Sequence, residues 1–67
     1  MNRIRKERRK AGLTMTQLAL GASVSLPNLS LIERDFPCRK TTGRRLALVL
    51  GKKPQDLFAD WARMRGA

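Results

Sequence analysis

Apolar side chains recur along this chain at helical spacing, in short runs that Gly or Pro closes. No stretch keeps up a strand-like alternation of apolar and polar residues, and β-branched residues are few. The pattern predicts five helices, turns of two to seven residues and no sheet, an all-α architecture. The first helix spans about Asn2 or Arg3 to Ala11, with Ile4, the stem of Arg8 and Ala11 on a thin apolar face, Leu13 just beyond, and Gly12 as a left-handed stop. The second opens at Thr14, where Thr14-Met15-Thr16-Gln17 reads as a capping box, and places Met15, Leu18, Ala19 and Ala22 at helical spacing. The third starts from Ser25 as N-cap, tolerates Pro27 only because it falls in the first turn, and ends before Pro37. The fourth runs from Thr41 or Thr42 to Leu50 and stops at Gly51; the fifth opens at Pro54 and carries a Leu57, Phe58, Trp61, Met64 stripe.

The expected core is Ile4, Leu13, Leu18, Val24, Leu29, Ile32, Leu46, Val49, Leu50, Leu57 and Phe58. Each such side chain contributes about 1.5–3 kcal/mol when buried. Ordering the chain costs about 1.5 kcal/mol per residue, so the gross terms nearly cancel. A chain of 67 residues is therefore one domain of marginal stability.

Charge changes this picture more than length does. Lys and Arg number 15 against 5 Asp and Glu, a formal charge of +10. Residues 11–32 carry no ionisable side chain. Arg3, Arg5, Lys6, Arg8, Arg9 and Lys10 precede that block, and Arg34, Arg39, Lys40, Arg44, Arg45, Lys52, Lys53, Arg63 and Arg65 follow it. A solvated surface normally mixes both signs. A threefold excess of one sign repels itself, and a polyanion relieves the repulsion. Nucleic acid is the first candidate and an anionic membrane surface the second. No helix pairs a basic face with a broad apolar one, which disfavours the membrane.

Other chemistry is sparse. There is no His and a single Cys, so no imidazole base, no disulfide framework within the chain and no Cys/His metal site is expected. Five scattered acids and one thiol make no acid–base pair, so neither catalysis nor a cofactor is expected. Cys38 reads as a loop thiol of ordinary reactivity. No apolar run reaches the length of a membrane span, and the basic start is not followed by the apolar stretch of a secretory signal; the expectation is a cytoplasmic protein.

The informative segment is Leu13 to Arg34, LTMTQLALGASVSLPNLSLIER. Two short helices flank a tight turn; small Ala19 lets them cross closely, and Val24 plugs the space between them. Through Leu13, Leu18, Ala19, Val24, Ser25, Leu29, Ser30, Ile32 and Glu33, which match without a gap, the chain resembles the helix-turn-helix family of phage repressors and Cro proteins. Arg45-Leu46-Ala47, Leu50-Gly51 and Asp56-Leu57-Phe58 look like that family's fourth and fifth helices, so the likeness runs from about Ile4 to Phe58.

The resemblance implies a five-helix, lambda-repressor-like domain over residues 1–67, with the motif at about 14–34. It implies a sequence-specific regulator of double-stranded DNA, prokaryotic or phage-borne, most often a repressor. Base-facing positions would be Ser25, Leu26, Pro27, Asn28 and Leu31. Phosphate contacts would come from Thr14, Met15 through its backbone, Thr16, Arg39, Lys40 and Arg44, and from the helix 3 N-terminus. An ion pair between Arg8 and Glu33 is also implied; Glu33 is the one acid beside the uncharged block, and a buried carboxylate needs a partner. A dimerisation helix over about 54–65, using Phe58, Trp61 and Met64, would make a homodimer; the alternative is that Trp61 and Met64 cap the monomer core.

Three departures from the family pattern matter. Ser23 stands where the turn usually has Gly, and Met15 where the second helix usually opens with Gln. Readers of base edges are typically Arg, Gln, Asn or Lys, whereas Leu26, Pro27 and Leu31 offer only apolar contact. These residues leave a second function open: a protein-interaction module, antitoxin-like or a phage component, using Leu26, Pro27 and Leu31 as its patch. RNA binding is a third, weakened by dispersed aromatics.

Overall fold

Four of the helices end in the same way. In each, one residue adopts a left-handed backbone and the next N–H reaches back five residues, closing a Schellman motif. The left-handed residues are Gly12 (φ 72°), Ser23 (φ 56°), Asp35 (φ 68°) and Gly51 (φ 66°). The returning bonds are Leu13 N to Arg8 O, Val24 N to Ala19 O, Phe36 N to Leu31 O and Lys52 N to Ala47 O, all 2.9–3.1 Å. These stops divide the computed structural model, which describes residues 2–66, into α1 (Ile4–Lys10), α2 (Met15–Ala22), α3 (Leu26–Glu33), α4 (Lys40–Leu50) and α5 (Pro54–Leu57). A single 3₁₀ turn, Trp61–Arg63, follows. The described residues contain no strand.

The starts of α2 and α3 are set by side chains. Thr14 caps α2 with a complete capping box: its hydroxyl accepts from Gln17 N at 3.1 Å, and its own N–H donates to Gln17 Oε1 at 2.8 Å. Ser25 caps α3 by accepting from Asn28 N at 3.3 Å, with Pro27 inside the first turn. Helix α4 begins at Lys40, slightly before the expected threonines.

Helix α4 packs against α1, α2 and α5, and α2 packs against α3. The buried apolar set is Ile4, Leu18, Ala19, Ala22, Leu29, Ile32, Leu46, Ala47, Leu50, Leu57 and Phe58; Leu13, Val24 and Val49 pack against it half-buried. Small Ala19, Ala22 and Ala47 join the buried set in their place. The radius of gyration, 10.4 Å, is near the roughly 11 Å expected for a folded chain of this length.

The fifth helix differs from its expectation. It lasts four residues instead of reaching Arg65, because Phe58 turns extended (φ −123°, ψ 112°) and drops into the core. Four residues gain little helical stability of their own, so packing decides. Trp61 then brings the outer edge of its indole against Gly43 of α4, its ring centroid 6.0 Å from that of Phe58. A Cβ at Gly43 would sit 2.7 Å from the indole, so only glycine leaves this slot. Phe58 is buried in its own protomer, and Trp61 and Met64 pack half-buried on the same core. The continuous helix proposed as a dimer seam is absent, and the segment caps its own core. No helix among the described residues is long and apolar enough to cross a membrane.

Candidate nucleic-acid interface

Helix α3 separates its residues sharply. Leu29, Ile32 and Glu33 are buried, while Leu26, Pro27, Asn28 and Leu31 are exposed, as is Ser25 at the cap. Pro27, Asn28 and Leu31 fall on one stripe by helical spacing, and Arg34 continues it one turn on. Arg34, which the spacing of the motif left out, is exposed with its guanidinium 5.8 Å from the Phe36 ring. It adds a base-reading side chain type to a face otherwise short of them. Its helical register with Leu31 was the signal that could have found it.

The outward face is held by what lies behind it. The Glu33 side chain is fully buried and is gripped by Arg8, Nε to Oε2 at 2.7 Å and Nη2 to Oε1 at 3.2 Å. Arg5 Nε adds a third bond to Oε1 at 3.3 Å. Arg8 Nη1 also donates to Leu13 O at 3.0 Å, at the start of the α1–α2 turn. Asn2 completes the link, donating from Nδ2 to Ile32 O and from its backbone to Asp35 Oδ1, both at 2.6 Å. Helix α1 thus clamps the end of α3. No buried side-chain polar atom among the described residues lacks a partner.

The backbone donors at the two helix starts are unequal. At α2, the N–H groups of Met15 and Thr16 have no acceptor among the described residues, so they remain available to an anion. Met15 is half-buried against the core, so only its backbone serves; Thr14 uses both its N–H and a hydroxyl lone pair within the capping box. At α3, Pro27 has no N–H and Asn28 N is taken by Ser25, which leaves Leu26 N alone. The α3 start is therefore a poorer anion site than its sequence suggested.

The flanking cations divide in a different way. Arg39 is the exposed N-cap residue of α4. Lys40 Nζ lies 5.6 Å and Arg44 Cζ 5.5 Å from the centre of the Trp61 ring, so one indole holds both. Next to them is a cleft of about 670 Å³ between the α3–α4 loop and the C-terminal turn, lined in part by Phe36, Cys38, Arg39, Asp60 and Arg65. Burial pushes the Cys38 thiol above its ordinary pKa, and the Asp60 carboxylate adds to the shift. The described residues hold no group of three or more His, Cys, Asp or Glu placed to bind a metal ion. Comparison of the chain with protein-family models, with curated proteins and with solved structures finds no match.

Proposed function

We propose that this chain is a small DNA-binding regulator of the lambda-repressor-like type, with α2 and α3 as a helix-turn-helix and α3 as the helix that enters the major groove. The observation that carries the reading is the division of α3: a capped helix clamped from behind by Arg8, presenting Leu26, Pro27, Asn28, Leu31 and Arg34 outward from a molecule of charge +10. A phosphate-led grip comes from the α2 start and from Arg39, Lys40 and Arg44, while Asn28 and Arg34 hydrogen-bond base edges and the leucines meet thymine methyls. In this reading the chain is a binding protein without catalytic step or cofactor, and repression follows from occluding the site.

The test is duplex-DNA binding as a function of salt, followed by selection of bound sites from random duplexes. With about five phosphate contacts per protomer, log K against log salt slopes near −4 to −5 per protomer. Selected sites are T-rich; a two-fold arrangement with half-sites about one helical turn apart would require a contact between chains other than the C-terminal segment. A slope near zero overturns the reading.

The 44% exposure of Leu26 and 37% exposure of Leu31 favour one alternative, a protein-binding patch on the same scaffold. The variants Leu26→Glu and Leu31→Glu separate the two. For a protein-binding patch they abolish partner capture and reduce DNA affinity only by their charge; for a DNA reader they abolish site selection.

A further inference from the structure

We propose that the C-terminal segment after α5 is part of the nucleic-acid surface: Arg63 and Arg65 contact the phosphodiester backbone beside Arg39, Lys40 and Arg44, and Trp61 is the positioning residue that sets Lys40 and Arg44. This rests on the DNA reading above and extends it to a stretch that neither the motif nor its spacing reaches.

Three observations join the segment to the start of α4. Lys40 N donates to Arg65 O at 2.6 Å, which ties the tail to the first residue of the helix. Gly66 lies against Arg39, close enough that a Cβ there would be 3.4 Å from Arg39 Cβ. Arg39, Arg63 and Arg65 line the same cleft. Five cations from two separate stretches of the chain thus gather around the start of α4.

The charge there is not neutralised internally. All four ion pairs among the described residues use Glu7 or Glu33, and none reaches these five side chains. Two carboxylates line the cleft, Asp35 and Asp60, and Asp35 Oδ1 already accepts from Asn2 N. Five positive charges against two negative leave a local excess that a polyanion relieves. Guanidinium groups suit phosphate oxygens because their paired N–H groups meet two oxygens at once.

Trp61 explains how the cluster keeps its form. Lys40 and Arg44 are four residues apart on one helix, a spacing at which like charges repel. Both face the negative ring of one indole, which offsets that repulsion and limits the conformations each side chain must lose on meeting phosphate. The slot at Gly43 fixes the indole itself.

The experiment compares salt slopes for duplex DNA in three proteins: the natural chain, Arg63→Gln/Arg65→Gln, and Arg9→Gln/Lys53→Gln. All four substituted residues are exposed, so folding is retained and far-UV circular dichroism melting checks it. Losing two phosphate contacts lowers the slope's magnitude by about 1.8 in the first variant, and the second, with the same net charge, leaves it nearly unchanged. Trp61 is the sole Trp of a chain without Tyr, so its emission reports this site alone and shifts when duplex binds. Affinity falls about fivefold in Trp61→Leu, the scale of two exposed cation–π contacts, and Trp61→Phe restores most of it. Equal slopes in all three proteins, or an equal drop in both variants, overturn this inference and leave the DNA reading standing. No duplex binding by the natural chain overturns both.

Discussion

The Arg8 guanidinium and the Glu33 carboxylate face each other through two hydrogen bonds, 2.7 and 3.2 Å long, with the Glu33 side chain entirely removed from solvent. The remaining Arg8 nitrogen that bonds reaches the Leu13 carbonyl. One side chain therefore joins α1, the α1–α2 turn and the end of α3. Because the outward face of α3 is aimed by its inner end, this pair connects stability to the proposed interface.

Removing one partner leaves the other charge buried without compensation. Glu33→Ala should destabilise the fold by about 3–5 kcal/mol, much of the stability of so small a domain. Arg8→Met/Glu33→Leu, which removes both charges and keeps the volume, should cost far less than the two single changes summed. Urea titration followed by circular dichroism measures the natural chain, Glu33→Ala, the matched single variants Arg8→Met and Glu33→Leu, and the double variant; a loss below about 1 kcal/mol in Glu33→Ala would contradict the role given to the pair.

Ser23 and Asp35 occupy left-handed positions that Gly12 and Gly51 fill at the other helix ends. A left-handed backbone costs a residue with a Cβ roughly 1–2 kcal/mol, and glycine returns part of that as chain entropy. Ser23→Gly should stabilise by roughly 0.5–1 kcal/mol. Asp35→Gly should gain nothing, because it deletes the carboxylate that accepts from Asn2 N at 2.6 Å. Equal gains at both positions in thermal melts would show that the Asn2 bond contributes nothing.

Two helical glycines should respond oppositely to alanine. At Gly21 a Cβ would rest 3.4 Å from the Val49 methyls, ordinary contact, so Gly21→Ala gains helix propensity, about 0.5–1 kcal/mol. At Gly43 it would meet the indole at 2.7 Å and Phe58 at 3.1 Å, so Gly43→Ala costs about 1–3 kcal/mol and moves Trp61. Melting gives the signs, and a red shift in tryptophan emission should accompany Gly43→Ala alone.

Cys38 should be slow to alkylate at neutral pH. Its pKa is raised, first by burial and then by Asp60, so the thiolate fraction is below that of an exposed cysteine. The rate with iodoacetamide should climb as pH rises, with its inflection above that of a cysteine peptide, and Asp60→Asn should move the inflection part of the way down. The same shift means that stability falls as pH rises from the peptide thiol's pKa through that of the folded protein. An inflection at or below the peptide's would reverse the assignment.

The positions of the first four helices were legible because their signals act over a few residues. Thr14 and Gln17 close their box within one turn, Ser25 caps the residue three ahead, and Gly12 and Gly51 end the helices beside them. Leucine spacing likewise marked Leu18, Leu29, Ile32, Leu46 and Leu50 as inward, since helical period and burial are coupled. The left-handed Asp35 was hidden because its residue type does not demand that backbone. The break at Phe58 was hidden for a stronger reason: Leu57, Phe58, Trp61 and Met64 have helical spacing, yet the slot that diverts Trp61 belongs to Gly43, 18 positions earlier. That Arg63 and Arg65 come beside Arg39 and Lys40 follows from the same diversion. Local hydrogen bonding and periodicity are written in neighbouring residues, whereas the meeting of distant side chains depends on which surfaces fill one another once the helices have packed.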